Sequence, residues 1–124
     1  MARISPDGRL LAYASEESGR WETYVQALDG TRGRWQISSA GGFQPRWRGD
    51  GRELFFVADP DRMMAVAVEP GAGPGAAPRF SAPVELFRRV LVGYDVAPDG
   101  QRFVGGVLAD GGDRPLTLAI LLLV

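Results

Sequence analysis

Repeated carboxylates are the residues of this chain best placed to do chemistry. Asp7-Gly8, Asp50-Gly51 and Asp99-Gly100 recur at separations of 43 and then 49 residues. Asp59-Pro60-Asp61 and Asp110-Gly111-Gly112-Asp113 have the outline of calcium loops, and Glu16-Glu17 with Glu22 offers acidic residues for glycoside hydrolysis. Each reading fails on its own chemistry. Calcium needs about six to eight oxygen ligands, usually on an Asp-x-Asp-x-Asp-Gly frame with a distal Glu, and neither stretch has one. Glycosidic cleavage needs two carboxylates at a defined gap, which adjacent residues of an outer loop do not hold. We therefore expect Glu16, Glu17 and Glu22 in a solvated loop, and hairpin turns at Asp59-Pro60-Asp61 and Asp110-Gly111-Gly112-Asp113. Asp7, Gly8, Asp50, Gly51, Asp99 and Gly100 read as structural turns: Asp tolerates the bend and Gly takes the left-handed conformation.

Composition removes most other catalysts. The chain has 124 residues, 45% of them hydrophobic, and a net charge of −1, which gives no reason to expect nucleic acid or an anionic membrane as partner. There is no His, Cys or Lys; all 14 basic residues are arginine. That excludes Ser-His-Asp and Cys-His machinery, imidazole or thiolate metal sites, disulfides, Schiff bases and a Walker lysine. We expect no catalytic residue, no metal and no cofactor. No apolar leader precedes the first repeat, and Leu116 to Val124 is too short to span a bilayer, so no membrane insertion by this chain is expected.

The elements that hold these residues are strands. Ser5-Pro6-Asp7-Gly8-Arg9-Leu10-Leu11, Arg48-Gly49-Asp50-Gly51-Arg52-Glu53-Leu54 and Ala97-Pro98-Asp99-Gly100-Gln101-Arg102-Phe103 each read as strand, turn and strand. Aligned on Asp-Gly, Ile4, Trp47 and Val96 match, as do Leu11, Leu54 and Phe103; both sets should face a packed interior. A third strand follows in each unit (Thr23 to Leu28, Met63 to Val68, Leu116 to Leu122), and a fourth in two of them (Arg34 to Ser38, Val84 to Phe87). The middle unit is longer because Pro70 to Pro78 forms a glycine- and proline-rich loop. The period is that of a four-stranded propeller blade. The expected fold is an all-β, partial β-propeller of about three incomplete antiparallel blades in a single domain, with repeats at about 1–40, 41–90 and 91–124. A closed propeller needs at least four blades. The outer blade faces should therefore meet further blades of a longer chain, or a second copy in a homo-oligomer.

One set remains for binding. Gln44, Arg46, Tyr94 and Asp95 fall on the innermost strands of the second and third units, which line the channel of a propeller. Arg46 and Asp95 share one aligned position, four before Asp, and are expected to pair across blades, with Trp47 in the core. Trp21, Trp35 and Arg34 lie on outer strands, where covering a neighbouring blade is the simpler role.

The Ser5-to-Tyr13 segment resembles the TolB-like, WD-repeat-like propeller repeat of bacteria. Gly41 to Phe56 and Tyr94 to Phe103 are similar to the C-terminal propeller of bacterial serine/threonine protein kinases. That resemblance implies a sensing role, with a protein or peptide as partner, and a periplasmic or extracytoplasmic place as part of a longer chain. The kinase motifs themselves are absent. A propeller that gates a prolyl-oligopeptidase-type hydrolase encoded elsewhere is the alternative, as is a half-propeller that closes by self-assembly.

Overall fold

In the computed structural model, residues 1–28, 33–73, 75–108 and 116–122 are described, Leu108 and 116–122 by their backbone alone. The expected turn at Asp110-Gly111-Gly112-Asp113 lies outside them. The described residues form antiparallel strands and no helix. Strands β1 (Ala2–Ile4), β2 (Leu10–Ser15), β3 (Glu22–Ala27) and β4 (Arg34–Gln36) make the first sheet in sequential order. The second holds β5 (Phe43–Trp47), β6 (Glu53–Ala58) and β7 (Arg62–Glu69), with β8 (Arg79–Phe80) and β9 (Val84–Arg88) both on the outer edge of β7. The third comprises β10 (Tyr94–Val96), β11 (Arg102–Leu108) and β12 (Leu116–Leu122).

Strand β8 was not expected, and its cause is local. Ser81 sends its N–H to the Ala67 carbonyl at 3.0 Å and accepts the Ala67 N–H on its hydroxyl at 2.8 Å. A side chain thus replaces a ladder group, and the edge resumes as β9 after Pro83, which has no N–H to give.

The residue pattern says which sheet is central. Leu54-Phe55-Phe56-Val57-Ala58 is apolar without interruption and buried throughout, as a strand covered on both faces must be. Its side chains sort by parity. Leu54, Phe56 and Ala58 join Leu10, Ala12 and Val25 of the first sheet, and Ile37 just past β4, in one core; Phe55 and Val57 join Tyr94 and Phe103 of the third in another. In β2, burial instead alternates along the first four residues, because only one face meets a neighbour.

That asymmetry corrects one expectation. Leu54 and Phe103 are fully buried, but Leu11 is half-buried and Ile4 is 62% exposed. Ile4 and Leu11 are cross-strand partners on the face of the first sheet turned away from the second. The matching faces of the second and third sheets each pack on the sheet before them; nothing among the described residues plays that part for Ile4 and Leu11.

The three Asp-Gly turns repeat each other closely. Gly8, Gly51 and Gly100 have φ of 77°, 74° and 73°, and each donates to the carbonyl three residues back at 2.8–2.9 Å. Each Asp carboxylate accepts the N–H two residues on: Arg9, Arg52 and Gln101, at 2.9–3.0 Å. Gly49 stands where the other turns have Pro6 and Pro98. Its N–H donates to the Pro98 carbonyl at 2.9 Å, which a proline could not do. A Cβ there would lie 2.8 to 3.0 Å from Pro98, so the close approach of neighbouring sheets also requires glycine.

Candidate functional site

The turn carboxylates are held as scaffold. The Ser5 hydroxyl donates to Asp7 at 2.7 Å and, with the Arg9 N–H, holds its carboxyl below the usual range. Arg48 grips Asp50 with two hydrogen bonds of 2.7 and 2.9 Å and reaches Glu53 at 3.2 Å. The Arg48 guanidinium, helped by the Arg52 N–H, brings Asp50 down to about 2. A lowered pKa adds stability that is complete above the unfolded value and lost as pH falls through the folded one. Carboxyl NMR titration should therefore find Asp50 ionised well below pH 4, with Arg48→Ala returning it toward the ordinary range near 4. An Asp50 midpoint near 4 in the parent chain would remove Arg48 as its partner.

Among the described residues no group of three or more Asp, Glu, His or Cys could hold a metal ion. Asp61 in the β6–β7 turn contributes its carbonyl, which accepts the Arg89 N–H at 2.7 Å. Glu16 and Glu17 are exposed, as expected for an outer loop. Glu22 is not. It sits in β3, 2% exposed, and accepts the Ser38 hydroxyl at 2.7 Å, the Gly41 N–H at 2.9 Å and Arg20 Nε at 3.1 Å. The expected solvated loop ends before it, and the carboxylate closes the link between β4 and β5. Arg34 covers the Tyr24 ring at 4.5 Å, donates to the Tyr13 hydroxyl and pairs with Glu17. Trp35 packs on Phe80 at 5.7 Å, and Trp21 remains 45% exposed.

The inner strands bring three of the four candidate binding residues together. Arg46, Tyr94 and Asp95 line one open cavity of about 360 Å³, and so does Arg3 of β1. Arg3 was missed, although it holds the same aligned position as Arg46 and Asp95, four before Asp. That alignment was the signal that could have found it. Gln44 is not among the lining residues. It occupies a β-bulge with φ of 55°, and its carbonyl accepts the Tyr94 hydroxyl at 2.6 Å. Burial pushes the Tyr94 phenol well above its ordinary pKa, so it stays protonated and keeps donating.

The expected Arg46–Asp95 ion pair does not form. Arg46 Nη1 donates to the Pro45 carbonyl at 2.9 Å, and its guanidinium lies 5.5 Å from the Tyr94 ring centroid. Asp95 Oδ1 accepts the Val96 N–H at 2.8 Å. The shared alignment puts both side chains on one wall, but each is satisfied within its own strand. Among the described residues the Arg3 guanidinium also donates to its neighbour alone, the Ala2 carbonyl, at 3.0 Å. Trp47 is half-buried rather than sealed in the core; its indole N–H donates to the Arg3 carbonyl at 2.9 Å and ties two inner strands together.

Strands, sheets and turns of this kind make the fold β-propeller-like, and one solved structure agrees. The chain is similar to the crystal structure of oligogalacturonate lyase from Vibrio parahaemolyticus, a β-propeller protein, with a TM-score of 0.61 and 20% identity. The match covers 83% of this chain but only 26% of that one, so the chain spans about a quarter of the neighbour's length. At that identity the likeness concerns the fold alone. No protein-family model and no curated protein matches the sequence.

Proposed function

We propose that the chain supplies three adjacent blades of a larger, non-catalytic β-propeller, of the TolB-like kind borne by bacterial kinases, and that its inner-strand wall binds an acidic protein or peptide segment. The sheet order, the repeat period and the uncovered Ile4–Leu11 face support the architecture. One observation carries the function. The guanidinium groups of Arg3 and Arg46 line a single open cavity, and neither has a carboxylate partner among the described residues. Arginine forks suit carboxylates, so a peptide carboxylate is the complementary group, with Asp95 left to accept a peptide N–H.

Calorimetric titration with short Asp- and Glu-rich peptides, against Asn- and Gln-rich counterparts, tests this. The acidic series should bind, and Arg46→Ala should weaken it about tenfold, the scale of one charge-assisted contact. Asp95→Ala should weaken it less. Unchanged binding by both variants would sink the proposal.

A further inference from the structure

Most polar groups that line the arginine wall are already engaged. Arg48 is held by Asp50, at 2.7 and 2.9 Å, and by Glu53 at 3.2 Å. The Trp47 indole N–H donates to the Arg3 carbonyl, and the Tyr94 hydroxyl to the Gln44 carbonyl. Of the lining side chains, Arg3, Arg46 and Asp95 keep open capacity. A guanidinium carries five N–H donors, and Arg3 and Arg46 each use one, on the carbonyl of the preceding residue. Asp95 gives Oδ1 to the Val96 N–H, and its Oδ2 has no hydrogen-bond partner among the described residues.

These three charges are neighbours without being partners. All of them line the same cavity. The Tyr94 phenol, raised chiefly by burial, also feels all three: Arg46 lowers its pKa, Asp95 raises it and Arg3 lowers it. Yet each stays bonded within its own strand. Opposite charges held apart in one cavity suit a guest that carries both signs, since each sign then meets its complement while the protein groups stay in place.

Size and charge narrow the guest. About 360 Å³ lies at the lower end of the range of small-ligand sites, about 300–1,000 Å³, and has room for a compact molecule rather than a run of chain. Two unmatched cations and one unmatched anion call for two carboxylates and one ammonium group.

We infer that this cavity binds a dicarboxylate bearing one ammonium group, the charge pattern of an acidic α-amino acid, with the carboxylates on Arg3 and Arg46 and the ammonium on Asp95. The inference rests on the reading of the wall as a carboxylate site and adds the need for a free amine. That chemistry has two sources, a free amino acid and a peptide that begins with two acidic residues. Calorimetry on the intact chain would compare L-glutamate with N-acetyl-L-glutamate, and the amide of glutamyl-glutamate with its N-acetylated form. Each free amine should bind about tenfold more tightly than its acetylated counterpart, the worth of one charge-assisted contact. The tighter of the two amines identifies the source. Asp95→Asn keeps an oxygen for the Val96 N–H and should bring amine and acetylated ligand level, with circular dichroism checking that the strands persist. Arg46→Ala should weaken glutamate about tenfold. If the acetylated ligands match the amines, or if Asp95→Asn keeps the preference, the need for an amine is overturned and the carboxylate reading of the wall stands. If no ligand binds up to about 10 mM, or if Arg46→Ala binds glutamate like the parent chain, both fall.

Discussion

Phe103→Ala is expected to lower the stability of the chain by about 3–5 kcal/mol, the largest effect of any single change foreseen here. Phe103 is fully buried and meets three aromatic rings at once. Phe55 lies 5.0 Å away edge-on, Phe87 5.5 Å away at a steep angle, and Tyr94 6.3 Å away in its own sheet. Truncation removes the ring's transfer free energy and leaves a cavity between two sheets whose strands cannot close on it. The three aromatic contacts add about 0.5–1.5 kcal/mol apiece beyond area, so the upper part of the range applies. Urea denaturation followed by circular dichroism measures it. Phe103→Leu, which keeps most of the volume, should cost less than half as much. A Phe103→Ala variant within about 1 kcal/mol of the parent would mean that the second and third sheets are not coupled through this ring.

Glu22→Ala should cost about 2–4 kcal/mol, far more than a loop carboxylate is worth. Removing it leaves the Ser38 hydroxyl, the Gly41 N–H and the Arg20 guanidinium without their common acceptor. Ser38 is itself 2% exposed, and its hydroxyl also accepts the Thr23 N–H at 2.8 Å, so the loss reaches the β3 backbone. Glu22→Gln keeps an acceptor and the shape, and should recover about half of the loss. Hydrogen exchange gives an independent reading: the Gly41 amide should exchange much faster in Glu22→Ala than in the parent, while amides of β6 change only with global stability. If denaturation and Gly41 exchange were both unaltered, Glu22 would be the solvated residue its neighbours suggest.

Much of the architecture was legible in the residues, and for local reasons. A turn is made by four or five consecutive residues, so Asp7-Gly8, Asp50-Gly51 and Asp99-Gly100 carried their own geometry: left-handed glycines, and a carboxylate on the N–H two positions ahead. The strand after the second turn was legible too, but that β6 is covered on both sides came only from the sheets packed against it. The candidate wall was half legible. Repeat alignment placed Arg46 and Asp95 together and would have added Arg3, because equivalent positions in stacked repeats share one surface.

Partnership was another matter. Which groups meet depends on a few ångströms and on whatever sheet lies next door, and neither is encoded at a fixed spacing. Arg46 and Asp95 are opposite in charge and equivalent in position, yet each bonds to its own strand. Glu22 lies five residues past an exposed pair and is buried by Ser38 and Gly41, far along the chain. Ile4 aligns with half-buried Trp47 and Val96 and is open, because burial needs a neighbouring sheet as well as an apolar side chain. The sequence by itself determined most of the strands and the three Asp-Gly turns, since those follow from backbone preference and the period of apolar residues. Tertiary structure alone decided which charges are satisfied and which are left facing a cavity, since that depends on contacts between residues distant in the chain.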